Sequence, residues 1–233
     1  MSTTIQYDLH KGVATLQLNR PKTYNAFNRE MALALIAALH KAAKDDAVRV
    51  VLLTGMGKAF CAGQDLREVT DDNGIGFEQI LTEHYNPIVM AIRELPKPVV
   101  CAVNGVAAGA GANIAFACDI TVAKASAKFT QAFSKIGLVP DSGGTFFLPR
   151  LVGMQRAMAL MMLSDTLTAE AAAEIGVIYQ AIPDEDYDEA VLALVQRLAK
   201  MPTRALGMTK DLLNQSWNIS LEEQLALEGD FQL

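Results

Sequence analysis

The stretch "KPVVCAVNGVAAGAGANIAFACDI", residues 97–120, places two apolar runs around a segment built almost entirely from small residues. "KPVVCAVNG" contains a continuous apolar run, which is typical of a strand buried on both faces of a sheet. The following glycine- and alanine-rich run opens a helix, and "CDITVA" indicates a further strand. Strand, helix and strand in this order favour an α/β fold.

The rest of the chain repeats strand, helix and loop and ends in helices. The predicted elements are a hairpin from "TIQYDL" and "GVATLQLN", a helix "REMALALIAALHKAAK" capped by Asn28, a buried strand "VRVVLLTG", a helical stretch "FEQILTEHYNPIVMAIREL" kinked at Pro87, short strands in "AKFTQAF" and "VIYQAI", and four helices after Pro149. We interpret "MGKAFCAGQDL" as a glycine-containing turn and residues 67–77 as a mobile loop.

Composition excludes several classes of protein. Hydrophobic residues make up 51% of the 233 residues, enough for a sizeable core, and no apolar run reaches the ~18 residues of a membrane span. The net charge of -6 disfavours a general nucleic-acid binder. Three cysteines without metal-ligand spacing, at 61, 101 and 118, favour reduced buried thiols and no metal site. The first twelve residues show no signal peptide, so we expect a cytoplasmic protein.

The small-residue run also invites comparison with a dinucleotide-binding loop. The pattern is incomplete, because Ile114 stands where a third glycine should follow Gly109 and Gly111, and Asp119 comes too early for the ribose carboxylate. Small residues instead let backbone N–H groups at a helix start approach an oxyanion. Close packing of a helix on a sheet would require the same residues. "AFCAGQDL" is a second turn of this kind.

The stretch "VPDSGGT", residues 139–145, has two chemical interpretations. It contains the Asp-Ser-Gly-Gly run found around the nucleophile of trypsin-like proteases, but no histidine lies in a context that suggests a base for Ser142. The alternative is that Asp141 moves a proton. Asp141 could also simply cap the following helix.

Four stretches in order resemble the crotonase (enoyl-CoA hydratase/isomerase) superfamily: "LNRPKTYNAFN", "GMGKAFCAGQDL", the stretch 97–120 and "AKFTQAFSKIGLVPDSGGTFFLPRLVG". The resemblance covers nearly the whole chain. It implies a spiral of β-β-α turns with a helical C-terminal region: residues 1–150 would form the core with an acyl-CoA site, and residues 151–233 a helical trimerisation region of the same structural unit. Relatives usually continue past "EGDFQL", so the resemblance implies a sequence that stops short of the family's C-terminus.

The resemblance also implies the site residues. Members of the family stabilise a thioester enolate with two backbone N–H groups, which correspond here to Gln64 and Ala110, and Asp141 matches the acidic residue of several isomerases. The expected substrate and coenzyme A contacts are Lys22, Ala62, Asp65, Leu66, Asn113 and Phe133. Coenzyme A would be part of the substrate, and no separate cofactor is expected.

Two positions depart from the hydratase pattern. Hydratases of this family use two glutamates, and Asn113 and Phe133 stand at those positions. Neither side chain exchanges a proton as a carboxylate does. The residues most resemble isomerases of phenylacetate degradation, which would convert ring-1,2-epoxyphenylacetyl-CoA to oxepin-CoA or shift an enoyl-CoA double bond.

Three alternatives stay open at this point. A hydratase would have to add water without the glutamate pair. A dehalogenase would use Asp141 as nucleophile and would need a histidine base, for which His84 is the candidate. A non-catalytic binding or assembly protein is a further alternative. The expected partners are an acyl-CoA thioester and identical subunits in a trimer or hexamer.

Overall fold

The structure is a computed structural model that describes residues 3–70 and 75–232. The strands are β1 Ile5–His10, β2 Val13–Leu18, β3 Val50–Gly55, β4 Ala59–Cys61, β5 Val99–Val103, β6 Val106–Ala108, β7 Ile120–Lys124, β8 Lys128–Thr130, β9 Thr166–Thr168 and β10 Gln180–Ile182. The α-helices are α1 Arg29–Lys44, α2 Leu66–Thr70, α3 Phe77–Gln79, α4 Asn86–Glu94, α5 Ala110–Ala117, α6 Gly144–Val152, α7 Met154–Leu163, α8 Ala169–Glu174, α9 Tyr187–Lys200, α10 Thr203–Gln215 and α11 Leu221–Gln232.

The larger sheet has six strands in the order β1-β2-β3-β5-β7-β10. β1 and β2 form the predicted antiparallel hairpin, and the other neighbours are parallel. All five residues of β5 are buried, as its continuous apolar run predicts. Asn28 caps α1 by accepting the N–H of Met31 at 3.1 Å. The α/β class is therefore confirmed.

A smaller sheet of four strands, in the order β4-β6-β8-β9, lies beside the larger one. Each of its strands has three residues, too few for an alternating pattern to stand out, so β4, β6 and β9 were not predicted. β4 lies within the segment that we interpreted as a turn. β4 and β6 are parallel, and a glycine turn follows each of them directly. Both turns therefore leave the sheet at the same edge, where ligands of parallel sheets usually bind.

The segment after the first turn differs from the expectation of a loop. Residues 67–70 belong to α2, residues 71–74 lie outside the described residues, and α3 begins at Phe77. A π-helix, Ile80–Tyr85, then leads into α4. Pro87 follows this π-helix directly, inside a helical run that continues from Phe77 to Glu94, so the change from π- to α-geometry lies next to the predicted kink.

The C-terminal region is attached to both sheets. β9 pairs with β8 and β10 pairs with β7, so residues 151–233 share the sheets of the preceding region. Lys210 on α10 is buried and lies 2.9 Å from Asp119, which also contacts Arg93 at 3.0 Å. The helix α11 was not predicted.

Across the part of the chain that the structure describes, none of the helices has the length and hydropathy that crossing a bilayer requires.

Candidate active site

The turns that follow β4 and β6 pack directly against each other. Gly63 has φ +92°, and a Cβ atom at this position would lie 3.0 Å from the carbonyl oxygen of Ala108 and 3.7 Å from the amide nitrogen of Ala110. Only glycine permits both this backbone conformation and this approach. The sequence therefore brings the two predicted donor residues, Gln64 and Ala110, into neighbouring turns.

The backbone N–H of Gln64 is available to a ligand. In the parallel bridge between Phe27 and Gln64, Phe27 donates to the carbonyl of Gly63 at 2.7 Å, and Asp65 donates to the carbonyl of Phe27 at 2.8 Å. Because neighbouring N–H groups of an extended strand point to opposite sides, the N–H of Gln64 faces away from Phe27.

Ala110 is the first residue of α5, so its N–H has no acceptor within the helix. Within residues 3–70 and 75–232, neither this N–H nor that of Gln64 donates to a protein acceptor. Two unpaired N–H groups in adjacent turns match the requirement for polarising one carbonyl oxygen. The N-terminal end of α5 adds a positive dipole end at the same place.

Asp141 lies on the turn that precedes α6. Burial raises the pKa of its carboxyl from the ordinary 3.8 to about 6, opposed by hydrogen bonds from the Ser142 hydroxyl and the backbone N–H of Asp141 itself. The hydroxyl donates to Oδ1 at 2.8 Å. A pKa near 6 suits a group that must both accept and return a proton close to neutral pH.

Asn113 holds the Asp141 turn against α5. Its Nδ2 donates to the carbonyl oxygen of Asp141 at 2.9 Å, and its Oδ1 accepts from Nε2 of Gln131 at 2.7 Å. Asn113 is fully buried, and the adjacent Gly144 approaches its amide so closely that a Cβ would lie 2.3 Å from Nδ2. Both ends of the amide are thus bonded within the protein, and α5 supports the carboxyl as well as one N–H donor.

The contacts of Ser142 and Asp141 test the two other interpretations of "VPDSGGT", in which Ser142 is a nucleophile or Asp141 is a helix cap. The Ser142 hydroxyl donates to a carboxylate, and the charged groups that act on His84 are Glu68, Glu83 and Arg29. The position before α6 is occupied by Gly143, and no side chain caps this helix. Among the described residues, the Ser142 hydroxyl therefore bonds to a carboxylate and to no histidine, and the Asp141 side chain makes no capping bond to α6.

The remaining predicted contacts lie beside the two turns or on the loop that is bonded to the first turn. Ala62 and Leu66 are exposed beside the first turn. The buried ring of Phe133 lies against Gly109, next to the second turn. Lys22 is exposed on the loop 19–28, whose Tyr24 carbonyl accepts the N–H of Ala62 at 3.0 Å.

The Asp65 side chain, a predicted substrate contact, is paired with two arginines within the protein. Asp65 is only 8% exposed, and its carboxylate is bound by Arg20 at 2.9 Å and Arg67 at 2.8 Å. The Arg67 and Arg20 guanidinium groups hold the pKa of this carboxyl far below its usual range. In this structure Asp65 therefore anchors the loop 19–28 to the first turn.

Three residues near these turns were not identified from the sequence: Glu68, Tyr85 and Gln131. Tyr85 donates its hydroxyl to Oε1 of Gln64 at 2.8 Å, and Gln64 donates from Nε2 to Glu68 at 2.9 Å. A tyrosine within an apolar helical stretch signals a hydroxyl that needs a buried partner, but the sequence does not say which residue supplies it.

Two large cavities, of about 820 and 590 Å³, lie elsewhere on the protein. The first is lined by α4, α6, α10 and α11, and the second by the outer face of the six-stranded sheet and α9. Neither includes Gln64, Ala110 or Asp141, so the candidate site is identified by its donors and its carboxyl group rather than by cavity volume.

Comparison with solved structures supports the fold. A Pseudomonas aeruginosa protein, PA4980, superposes with a TM-score of 0.91 over 97% of each chain, at 38% sequence identity. The crotonase fold that the sequence predicted is confirmed.

The sequence comparisons agree with the structural one. The chain is 47% identical to the 1,2-epoxyphenylacetyl-CoA isomerase of Escherichia coli (strain K12), over 96% of this chain and 87% of that protein. It is 44% identical to a probable enoyl-CoA hydratase of Rhodobacter capsulatus, over 98% of this chain and 88% of that protein. The model of the family described as Enoyl-CoA hydratase/isomerase matches residues 8–232. The chain belongs to the enoyl-CoA hydratase/isomerase family of the crotonase superfamily and is one of its enzymes.

Proposed function

We propose that this enzyme isomerises an acyl-CoA thioester through an enolate, with Gln64 and Ala110 as N–H donors and Asp141 as the acid/base. The proposed substrates are ring-1,2-epoxyphenylacetyl-CoA, which would rearrange to oxepin-CoA, and enoyl-CoA thioesters whose double bond migrates. The 47% identity to an isomerase with the first of these substrates in its name supports the choice.

The observation that carries this proposal is a partly buried carboxyl with a raised pKa, whose turn is bonded through Asn113 to α5, the helix that begins with the unpaired N–H of Ala110. In a 3-enoyl-CoA, the Asp141 carboxylate would take a proton from C2, and the two N–H groups would stabilise the resulting enolate oxygen. The same carboxyl would return the proton to C4, which yields the 2-enoyl-CoA without net loss of atoms. One carboxyl with a pKa of about 6 suffices for both transfers.

The alternatives within the family fit this site less well. Water addition by two carboxylates lacks its second group, because Asn113 is bonded at both ends within the protein and Phe133 has no proton to exchange. A nucleophilic aspartate is favoured by a low pKa, whereas burial raises that of Asp141. The candidate base His84 is fully buried, and burial lowers its pKa.

A panel of thioesters tests the proposal. We expect turnover with 3-enoyl-CoA esters, with ring-1,2-epoxyphenylacetyl-CoA, or with both, followed by chromatography of the product. Hydration of 2-enoyl-CoA at a rate above isomerisation would contradict the proposal and favour a hydratase. Binding of the esters without any turnover would favour the non-catalytic alternative.

We expect Lys22→Glu to weaken binding of acyl-CoA about three- to thirtyfold, because coenzyme A is polyanionic and Lys22 lies on the loop bonded to the first turn. The side chain is exposed, so the melting temperature should change little. Titration with phenylacetyl-CoA at two salt concentrations measures the effect, with the exposed Lys44→Glu on the end of α1 as control. Equal affinity of wild type and Lys22→Glu would remove Lys22 from the site.

The family resemblance also leads us to propose assembly into a trimer or hexamer. Exposed apolar side chains of α7, namely Met154, Met158, Met162 and Leu163, provide surface that a neighbouring subunit could cover. Light scattering at micromolar concentration should give three or six times the mass of 25.1 kDa. A mass of one chain would contradict this expectation.

A further inference from the structure

A chain of hydrogen bonds runs behind the first N–H donor. Oε1 of Gln64 accepts the Tyr85 hydroxyl at 2.8 Å, and Nε2 of Gln64 donates to Oε2 of Glu68 at 2.9 Å. Glu68 in turn accepts the backbone N–H of Arg29, the first residue of α1, at 2.9 Å through Oε1. The amide of Gln64 is therefore held at both ends, by the π-helix on one side and by the start of α1 on the other.

The Tyr85 hydroxyl is committed to this bond. Tyr85 is 1% exposed, and its ring packs edge-on against Phe27 with centroids 5.9 Å apart. Burial raises its pKa well above the usual value, and the carboxylates of Asp141 and Glu68 raise it further, so the hydroxyl keeps its proton and remains a donor. The ring packing alone would be satisfied by phenylalanine, so the hydroxyl serves the contact with Gln64.

The position of Tyr85 joins the two halves of the site. It ends the π-helix Ile80–Tyr85, and π-helical segments are frequent at functional sites. The charge of Asp141 raises the pKa of its phenol, and the same hydroxyl bonds Gln64, the residue that carries the first donor. The Gln64 side chain has no direct role in the proposed chemistry, because the donor is its backbone N–H.

We infer that Tyr85 and Glu68 are positioning residues that fix Gln64 so that its backbone N–H stays aimed at the thioester oxygen. The inference rests on the proposed function, and it adds residues that act only through Gln64. A donor that is preorganised stabilises the enolate without reorganisation during the reaction. The bridge to Phe27 holds the peptide of Gln64 on one side. A shift of the turn after loss of the side-chain bonds would weaken this stabilisation while ground-state binding of coenzyme A remains.

The first test is Tyr85→Phe, with Tyr7→Phe as the matched control. Tyr7 also has a buried hydroxyl, and this one has no partner in the described part of the chain, so its removal should leave activity unchanged. We expect Tyr85→Phe to lower kcat on a 3-enoyl-CoA about tenfold, with KM within about twofold of wild type. Wild-type kcat in Tyr85→Phe would overturn the inference.

The second test separates this inference from the proposed function. Infrared spectra of bound phenylacetyl-CoA, carrying ¹³C at the thioester carbonyl, report how strongly the N–H donors polarise that bond without any turnover. We expect a smaller shift of the carbonyl band in Tyr85→Phe than in wild type, at equal affinity. A wild-type shift that persists in the variant would overturn the positioning role even if isomerisation is confirmed, and a wild type that shifts the band without isomerising anything would contradict the proposed function alone.

Gln64→Met provides a variant that does not alter the packing around Phe27. It removes both side-chain bonds and keeps the backbone donor, so kcat should fall at least as far as in Tyr85→Phe. If Tyr85 acts only through Gln64, the double variant should match Gln64→Met. A double variant whose fold-loss of kcat equals the product of the two single losses would show independent roles and would overturn the inference.

Discussion

Replacing Asp141 by Asn should lower kcat about 10²–10⁴-fold on an isomerisable acyl-CoA, the usual cost of losing a positioned acid/base. The substitution keeps the size of the side chain and removes its capacity to exchange a proton. Affinity for phenylacetyl-CoA should change little, because the proposed donors are backbone groups. Turnover near the wild-type level in Asp141→Asn would remove Asp141 from the mechanism.

The same variant should melt at the same or a higher temperature at pH 7. The folded carboxyl has a pKa of about 6 and the unfolded one an ordinary 3.8, so the folded state binds the proton more tightly between these values. The free energy of unfolding of the wild type therefore falls as pH rises from about 4 to 6, by roughly 1–3 kcal/mol in total. Asn does not ionise, and its advantage should appear above pH 6 and vanish near pH 4 in thermal melts.

Ser142→Ala is the matched control for this prediction. We expect most of the activity to remain, because the hydroxyl donates to Asp141 and has no base of its own. Loss of this bond removes an interaction that lowers the pKa of Asp141, so the acidic limb of the kcat/KM profile should move above its wild-type midpoint near pH 6. A larger loss of kcat in Ser142→Ala than in Asp141→Asn would restore the serine-nucleophile hypothesis.

Most strands of the larger sheet could be predicted because the pattern of their apolar residues shows which faces are buried. β3 and β5 are continuous apolar runs, and the hairpin β1–β2 alternates around a short turn. The strands β4, β6 and β9 have three residues each and read as parts of loops. The second sheet thus depends on tertiary pairing that no local pattern records.

The residues of the candidate site likewise include some that could be predicted from the sequence and some that could not. Gln64, Ala110 and Asp141 could be proposed because the family resemblance implies backbone donors and an acid at their positions. Tyr85 and Glu68 were not identified, since their partner is 21 residues away for one and a single helical turn away for the other, with no periodic signal. Their contacts with Gln64 become apparent only in the three-dimensional structure.

Removal of one of the two proposed oxyanion donors should also slow turnover strongly. Ala110→Pro deletes the backbone N–H of Ala110 at the first position of α5, where proline fits the helix geometry. Gly109 precedes it with φ +53° and ψ -125°, outside the α region that proline disfavours in the residue before it. We expect α5 to form and kcat to fall about 10²–10³-fold, the usual cost of removing one donor from an oxyanion hole.

Met154→Pro is the matched control for Ala110→Pro. Met154 is the first residue of α7 and also follows a glycine with positive φ, Gly153, but it is exposed and lies outside the candidate site. Because Met154 belongs to the surface proposed for assembly, light scattering of the control must give the mass of wild type. The control should keep wild-type kcat and a cooperative melt, which shows that proline at such a position is tolerated. In Ala110→Pro, phenylacetyl-CoA should bind within about tenfold of wild type, because the proposed coenzyme A contacts lie elsewhere, and its ¹³C carbonyl band should shift less. A folded Ala110→Pro enzyme with the kcat and the carbonyl shift of wild type would show that the oxygen is held by other groups. Groups outside the two turns would then have to stabilise the enolate, although the turns approach each other closely at Gly63 and carry unpaired N–H groups.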